Sequence, residues 1–246
     1  CRQAMEWVDE ALVLSVRPHG ETAALVELLT REHGRYVAMV HGGRSRKNRP
    51  VLQIGNHVDV TWKARLADQL GYATVSARRG FAAEAMNDRL SLCALTSVCA
   101  LARLLAERDP HPSLFEVTLF VLGFLDDAMV WPALYVRWEM ALLEELGFGL
   151  DVSACAVSGA VENLAYVSPN SGRAVSRDAA EPYVDRLLVL PAFLLSGRRG
   201  KVTGNDMLNG LKLTGHFIEH RVLAPREQAM PEARAQLPQL LAREFA

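Results

Sequence analysis

The chain has 246 residues, half of them hydrophobic, with 27 Lys/Arg against 28 Asp/Glu. Such a length holds one large domain or two smaller ones, and such a composition excludes a disordered chain. The net charge of −1 hides an asymmetry: residues 1–80 hold 12 Lys/Arg against 8 Asp/Glu, and residues 81–246 hold 15 against 20. A basic amino-terminal part and an acidic remainder point to two domains with different partners. Cysteine is sparse, at Cys1, Cys93, Cys99 and Cys155, with no C-x-x-C pair. This is not a disulfide framework, and a reducing cytosol is expected. Met5-Glu6-Trp7-Val8-Asp9-Glu10 is acidic, unlike a signal peptide, and the four residues before it read as an extension outside the fold. No apolar run approaches the roughly 18 residues of a spanning helix.

In chain order, residues 7–79 read as β. Segments 11–17, 22–30, 35–41, 57–66 and 70–78 are candidate strands, separated by Pro18-His19-Gly20, Glu32-His33-Gly34 and Asp68-Gln69. The cleanest is 57–66: Val58, Val60, Trp62, Ala64 and Leu66 alternate with His57, Asp59, Thr61, Lys63 and Arg65. One face is apolar, the other polar and partly cationic. Five short strands in about 75 residues predict a small closed or partly open barrel. Between the third and fourth lies His41-Gly42-Gly43-Arg44-Ser45-Arg46-Lys47-Asn48-Arg49-Pro50, with four permanent positive charges between Arg44 and Arg49. Cations displace the counterions condensed on phosphate, so this loop reads as a nucleic-acid contact; the alternative is a solvated turn.

From Asp88 the period becomes helical. Residues 88–108 are apolar nearly all round and predict a buried helix. Ser113-Leu114-Phe115-Glu116 has a capping-box pattern ahead of an apolar run to Phe124. A third helix fits 132–146, with Pro132 at its first position and Gly147 beyond its end. Residues 147–180 lack helical period and predict loops or short strands. Two more helices are expected near 182–195 and 205–223. The tail, with Pro225, Pro231 and Pro238, reads as broken into short pieces.

Catalytic motifs are thin. His216-Phe217-Ile218-Glu219-His220 matches H-x-x-E-H, in which two histidines share a helix face for Zn²⁺ and Glu219 serves as general base, but a third protein ligand is required. The alternative is a polar face near a helix C-terminus, where histidine suits the dipole. Gly197-Arg198-Arg199-Gly200-Lys201-Val202 fails as a phosphate loop, since Leu195 and Val202 stand where Gly and Ser/Thr belong. No G-x-S-x-G is present, nor a G-x-G-x-x-G after a strand, and no pair of carboxylates is singled out. Arg137-Trp138-Glu139 lies in an apolar helix. Arg137, flanked by Tyr135 and Trp138, suits a carboxylate from a partner peptide; the alternative is an arginine snorkelling from the helix edge.

Ordered short signatures add a resemblance. They are Leu12-Val13-Leu14, Arg17-Pro18-His19-Gly20-Glu21-Thr22, Leu29-Thr30, Gly34-Arg35 and Gly42-Gly43-Arg44. Arg137 to Gly147, Tyr166-Val167-Ser168-Pro169 and His220 to Arg226 follow. From Met5 to the end the chain resembles the bacterial RecO family of DNA repair proteins. The resemblance implies an α+β, multidomain chain: an amino-terminal five-stranded OB-fold β-barrel over 5–80, then a mainly α-helical domain over 81–246. Many members carry a four-cysteine zinc site. Here 150–180 reads as a degenerate, cysteine-poor zinc-finger-like insertion, because Ser158, Ser176 and Ala179 stand where cysteines belong. One thiolate, Cys155, cannot make a tetrahedral zinc site, so neither zinc nor another cofactor is expected, and Leu164 and Tyr166 are candidate anchors.

The resemblance further implies a non-enzymatic, cytoplasmic, nucleoid-associated recombination mediator. Such a protein binds single- and double-stranded DNA and anneals complementary strands. It acts with RecR and, in some pathways, RecF, to load RecA onto DNA covered by single-stranded-DNA-binding protein. The expected DNA-binding residues are Arg35, Arg44, Arg46, Lys47, Arg49, Lys63 and Arg65. Trp62 and Tyr36 are expected in the core, leaving Tyr72 as a thin aromatic supply. Arg137 and Trp138 are the expected site for the acidic tail of single-stranded-DNA-binding protein. The alternatives are a zinc-dependent hydrolase using 216–220 and an OB-fold RNA-binding factor.

Overall fold

A computed structural model describes residues 5–66, 69–196 and 200–245. The extension 1–4, the turn residue Asp68 and the basic stretch Gly197-Arg198-Arg199 lie outside them. The chain divides into two compact units, Cys1–Asp126 and Asp127–Ala246.

The first unit is built on a closed barrel in the order β1-β2-β3-β5-β4. Its strands are β1 (Met5–His19), β2 (Ala23–Thr30), β3 (Gly34–Val40), β4 (His57–Ala64) and β5 (Gly71–Arg79). The 15-residue β1 serves two neighbours: Met5 to Leu12 pair with β4, and Ala11 to His19 pair with β2. A shift in register between Val13 and Ser15 marks where it bends. The alternation on β4 holds: Val58, Val60, Trp62 and Ala64 point inward, joining Ala11, Val13, Val26, Leu28 and Ala38 in the barrel core. Gly71 is needed beside them, because a Cβ there would sit 2.2 Å from Nε1 of Trp62.

Among the described residues the unit also holds the helices α1 (Phe81–Ala85), α2 (Arg89–Ala102) and α3 (Pro112–Leu122). Helix α2 stops six residues short of the predicted 108. Its Asp88 cap accepts from the Ser91 amide. Helix α2 packs against β1, and Leu12, Leu14 and Leu29 are buried in addition to the barrel's inner face. The Cys99 thiol, pushed up to about 12 by burial, packs there with Sγ 3.7 Å from the Val13 carbonyl, as a small core residue. The predicted capping box at Ser113 does not form. Pro112 takes the first helical position, with His111 as a cap that makes no side-chain cap hydrogen bond.

The second unit holds α4 (Trp131–Glu145), α5 (Arg177–Ala180), α6 (Gly204–Phe217) and α7 (Glu232–Glu244). Beside them lies a small antiparallel sheet in the order β7-β6-β8, from β6 (Leu164–Val167), β7 (Ala174–Ser176) and β8 (Leu188–Val189). Gly210 admits α4 closely, since a Cβ there would lie 2.9 Å from Val136. Glu139 of α4 is fully buried against Arg234 of α7, whose Nη2 also donates to the Leu211 carbonyl at 2.7 Å. Two predictions fail here, the second in part. The stretch 182–195 is two 3₁₀ turns, Glu181–Arg186 and Ala192–Leu194, around β8, because its prolines and short apolar run do not sustain an α-helix. The tail is broken near Pro225 and Pro231 as expected, by a short turn at Ala224–Arg226 and a non-helical stretch, but not at Pro238: α7 runs through it, held by buried Arg234, Leu237 and Leu241.

Candidate nucleic-acid interface

The cationic loop leaves β3 through Gly42, at φ +61°. Its base is tightly seated, since a Cβ on Gly43 would come within 2.6 Å of the Ala24 Cβ. The Arg44 amide donates to the Thr22 carbonyl at 3.1 Å, and its guanidinium Nη1 donates to the carbonyls of Gly20 and Glu21 at 3.3 and 3.0 Å. Inside the loop the Arg49 amide bonds the Ser45 carbonyl at 2.9 Å, and the Asn48 side chain reaches the Gly42 carbonyl at 3.1 Å. The loop is therefore a hydrogen-bonded turn. Arg46, Lys47 and Arg49 are exposed and make no ion pair among the described residues. A cavity of about 410 Å³ adjoins it, with Val16, Pro18 and Leu52 as apolar lining and Arg44 and Arg49 as cations.

The remaining expected DNA contacts separate. Arg65 is exposed and also unpaired among the described residues. Lys63 is exposed but pairs with Glu6 at 2.9 Å. Arg35 departs from the expected DNA track. It forms an ion pair with Glu27, which is only 4% exposed, and its Nε donates to the Leu105 carbonyl at 2.9 Å. Arg103 Nε and the Ser15 hydroxyl complete the set on Glu27, at 2.7 and 3.1 Å. Arg35 is a clamp between the barrel and the segment after α2. A buried carboxylate needs such partners, because an unpaired one carries a desolvation cost of several kcal/mol.

Among the aromatics, Trp62 is buried and packs with Trp7 and Tyr36 at ring separations of 5.3 Å, as expected of core rings. Tyr72 points outward between buried Gly71 and Ala73. It stacks on His41, the first residue of the cationic loop, at 4.7 Å and 14°. The sequence reading passed over His41 as a ring; the available signal was its position at the root of the loop.

In the second unit Trp138 is 0% exposed, which removes it from the expected peptide site: it is a core ring beside Tyr135. Arg137 is exposed, and its Nε and Nη2 donate to the Phe193 carbonyl at 3.2 and 2.5 Å. Around H-x-x-E-H the backbone passes from α6 into a π-helical turn at Ile218–Leu223. The two imidazoles stack at 4.3 Å, and His220 Nδ1 lies 2.9 Å from the His216 carbonyl. Burial, then the neighbouring His220, lowers the His216 pKa below the ordinary histidine value. No cluster of three or more His, Cys, Asp or Glu suited to a metal occurs among the described residues, so the pair lacks the third ligand that a hydrolytic zinc requires. Cys155 lies in the insertion, its Sγ accepting from the amides of Ser158 and Ser176 at 3.4 and 3.3 Å. Burial raises this thiol, and the hydrogen bonds outweigh that effect, drawing it down to about 6. No helix is long and apolar enough to cross a membrane among the described residues.

The model of the family described as "Recombination protein O N terminal" matches residues 5–81, and that of "Recombination protein O C terminal" matches 86–229. A protein of Rhodospirillum centenum named DNA repair protein RecO is 52% identical over 233 residues, covering 94% of this chain and 92% of its own. Proteins of the same name from Methylobacterium nodulans and Dinoroseobacter shibae are each 50% identical. The first match covers 94% of this chain and 95% of the relative, the second 97% and 99%. Matched along both of its parts and at half identity over nearly its full length, the chain belongs to the recombination protein O family.

Proposed function

We propose that this protein acts in DNA repair and recombination as a mediator without bond-making chemistry. The barrel is an OB-fold, a reading supported by five strands closed in the order β1-β2-β3-β5-β4. It binds single- and double-stranded DNA, anneals complementary strands and, with RecR and in some pathways RecF, helps load RecA onto DNA covered by single-stranded-DNA-binding protein. The relatives' shared name, DNA repair protein RecO, supports the role.

The observation that carries the DNA reading is the contrast in pairing on the barrel. Arg35 and Lys63 have carboxylate partners, whereas Arg46, Lys47, Arg49 and Arg65 have none among the described residues. With Arg44 they form the DNA surface, and such contacts position a backbone without reading sequence. About four or five neutralised phosphates on a single strand give a slope of log K against log salt near −3. The test is oligonucleotide binding across salt, followed by annealing with and without single-stranded-DNA-binding protein. A slope near zero for the intact protein rejects the reading.

For the acidic tail of single-stranded-DNA-binding protein the proposed ligand residue is Arg137 alone, which keeps its charge while bound to a carbonyl. Tail peptide titrated into wild type and Arg137→Ala separates the outcomes: weaker binding by the variant supports the assignment, and equal affinities reject it.

A further inference from the structure

We propose that the stacked His41–Tyr72 pair is a platform for an unpaired base, set at the root of the phosphate-binding loop so that one nucleotide is held by ring and backbone together. The inference rests on the nucleic-acid reading of that loop and adds the class of strand the site prefers.

Tyr72 is 49% exposed, although the other rings of the barrel, Trp7, Tyr36 and Trp62, pack against one another. Its outward direction is fixed by the pleat: Gly71 and Ala73 on either side are buried, and Gly71 lies against the Trp62 indole. The ring is thus displayed from a rigid strand. Its neighbour His41 is also exposed, and the two rings are nearly parallel at 14°, leaving aromatic surface open to solvent. Register sets the surroundings. Tyr72 lies opposite Lys63 on β4 and beside Met39 of β3, two residues before His41. The chain then runs directly into Gly42 and the exposed cations Arg46, Lys47 and Arg49.

This juxtaposition matches the two halves of a nucleotide. Every base has a π-face, and stacking on an aromatic side chain tolerates any sequence. A base in a duplex already has both faces covered, so the ring pair favours a single strand, whereas the loop cations serve either form. The two contributions differ in their response to salt: phosphate contacts release counterions, and stacking does not.

The test uses the full chain and fluorescence anisotropy with a 15-nucleotide oligothymidine and a 15-base-pair duplex, across a salt series. The variants are Tyr72→Ala, Tyr72→Phe, His41→Ala and the fourfold Arg44→Ala, Arg46→Ala, Lys47→Ala, Arg49→Ala. The expected result is that Tyr72→Ala weakens single-strand binding by about five- to a hundredfold, the range for losing one stacked base. Its salt slope and duplex affinity stay as in wild type, Tyr72→Phe retains single-strand binding, and His41→Ala shows a smaller loss than Tyr72→Ala. Melting temperature identifies any variant that fails to fold, and Tyr72→Phe, which retains the ring, then carries the comparison against an oligonucleotide abasic throughout: a wild-type or Tyr72→Phe preference for bases supports the platform, and no preference overturns it. Equal single-strand affinities for folded Tyr72→Ala and wild type, or an equal loss on duplex, also overturn the platform. If the fourfold variant keeps the wild-type salt slope, the loop reading itself has failed. A platform failure leaves that slope difference intact, so the two failures are distinguishable.

Discussion

Two regions of the barrel use the same residue types in opposite ways. Around Glu27, Arg35 and Arg103 converge on one buried carboxylate, and their charge holds the barrel to the segment that follows α2. In the loop after β3, Arg46, Lys47 and Arg49 have no carboxylate partner among the described residues, while hydrogen bonds among their neighbours shape the turn. The difference shows that a cation's role is set by what lies within reach of its head group. Counting basic residues along a strand does not reveal it.

The strongest way to break this comparison is Arg35→Ala. It is expected to lower stability by roughly 3 kcal/mol, the low end for a broken buried pair, because Arg103 and Ser15 still hold Glu27. Urea denaturation measures it; a loss below about 0.5 kcal/mol assigns Arg35 to the exposed class. Next comes the fourfold loop variant. A slope near −3 means that wild-type single-strand affinity falls about 60-fold between 50 and 200 mM salt. The variant is expected to lose most of that dependence, while its stability moves by no more than about 0.5 kcal/mol. A large stability loss shows that the loop cations are structural after all.

A smaller effect concerns Glu10, which meets His57 at 2.8 Å and forms ion pairs with Arg31 and Arg78. Burial pushes the His57 imidazole below its ordinary value, with Arg78 adding to the shift and Glu10 opposing it. The unfolded chain then takes up this proton more readily than the folded one. The neutral-His57 contribution is present above the ordinary histidine pKa of 6.5 and is lost as pH falls below it. Thermal melts from pH 7.5 to 5 should therefore show a decline that His57→Gln reduces; an identical decline in both removes His57 as the cause. Smallest is Lys63→Ala. Its exposed pair with Glu6 is worth at most about 1 kcal/mol, and its removal should leave the salt slope unchanged. A slope change of about 0.7, one phosphate contact, returns Lys63 to the DNA surface.

What the sequence reveals of the fold follows from where periodicity is strong. On β4 the inward residues Val58, Val60 and Trp62 alternate strictly because only one face meets the core, so the strand is readable. On β2 every residue from Val26 to Thr30 is buried, which hides Glu27 among Leu28, Leu29 and Thr30. The buried carboxylate that engages Arg35 was therefore invisible. The stretch 182–195 differs from its expected helix for a related reason: Leu187 to Leu190 is a short apolar run, which periodicity alone cannot divide between helix and strand. Trp138 and Arg137 are adjacent in sequence, yet they point to different environments around the same helix, and spacing without packing could not separate them.

The double service of β1 has a consequence for assembly on the ribosome. Met5 pairs with Ala64 and Ala11 with Thr30, so the later half of the strand finds its hairpin partner within about twenty residues of synthesis, whereas the earlier half waits for almost sixty. During that interval a nascent chain presents an unpaired edge, the type of surface that recruits foreign strands. Glu6, Asp9 and Glu10 lie along that waiting half and put carboxylates on it. Charges on an exposed edge disfavour pairing with a foreign strand, and in the folded barrel the same groups pair with Lys63, His33 and Arg78.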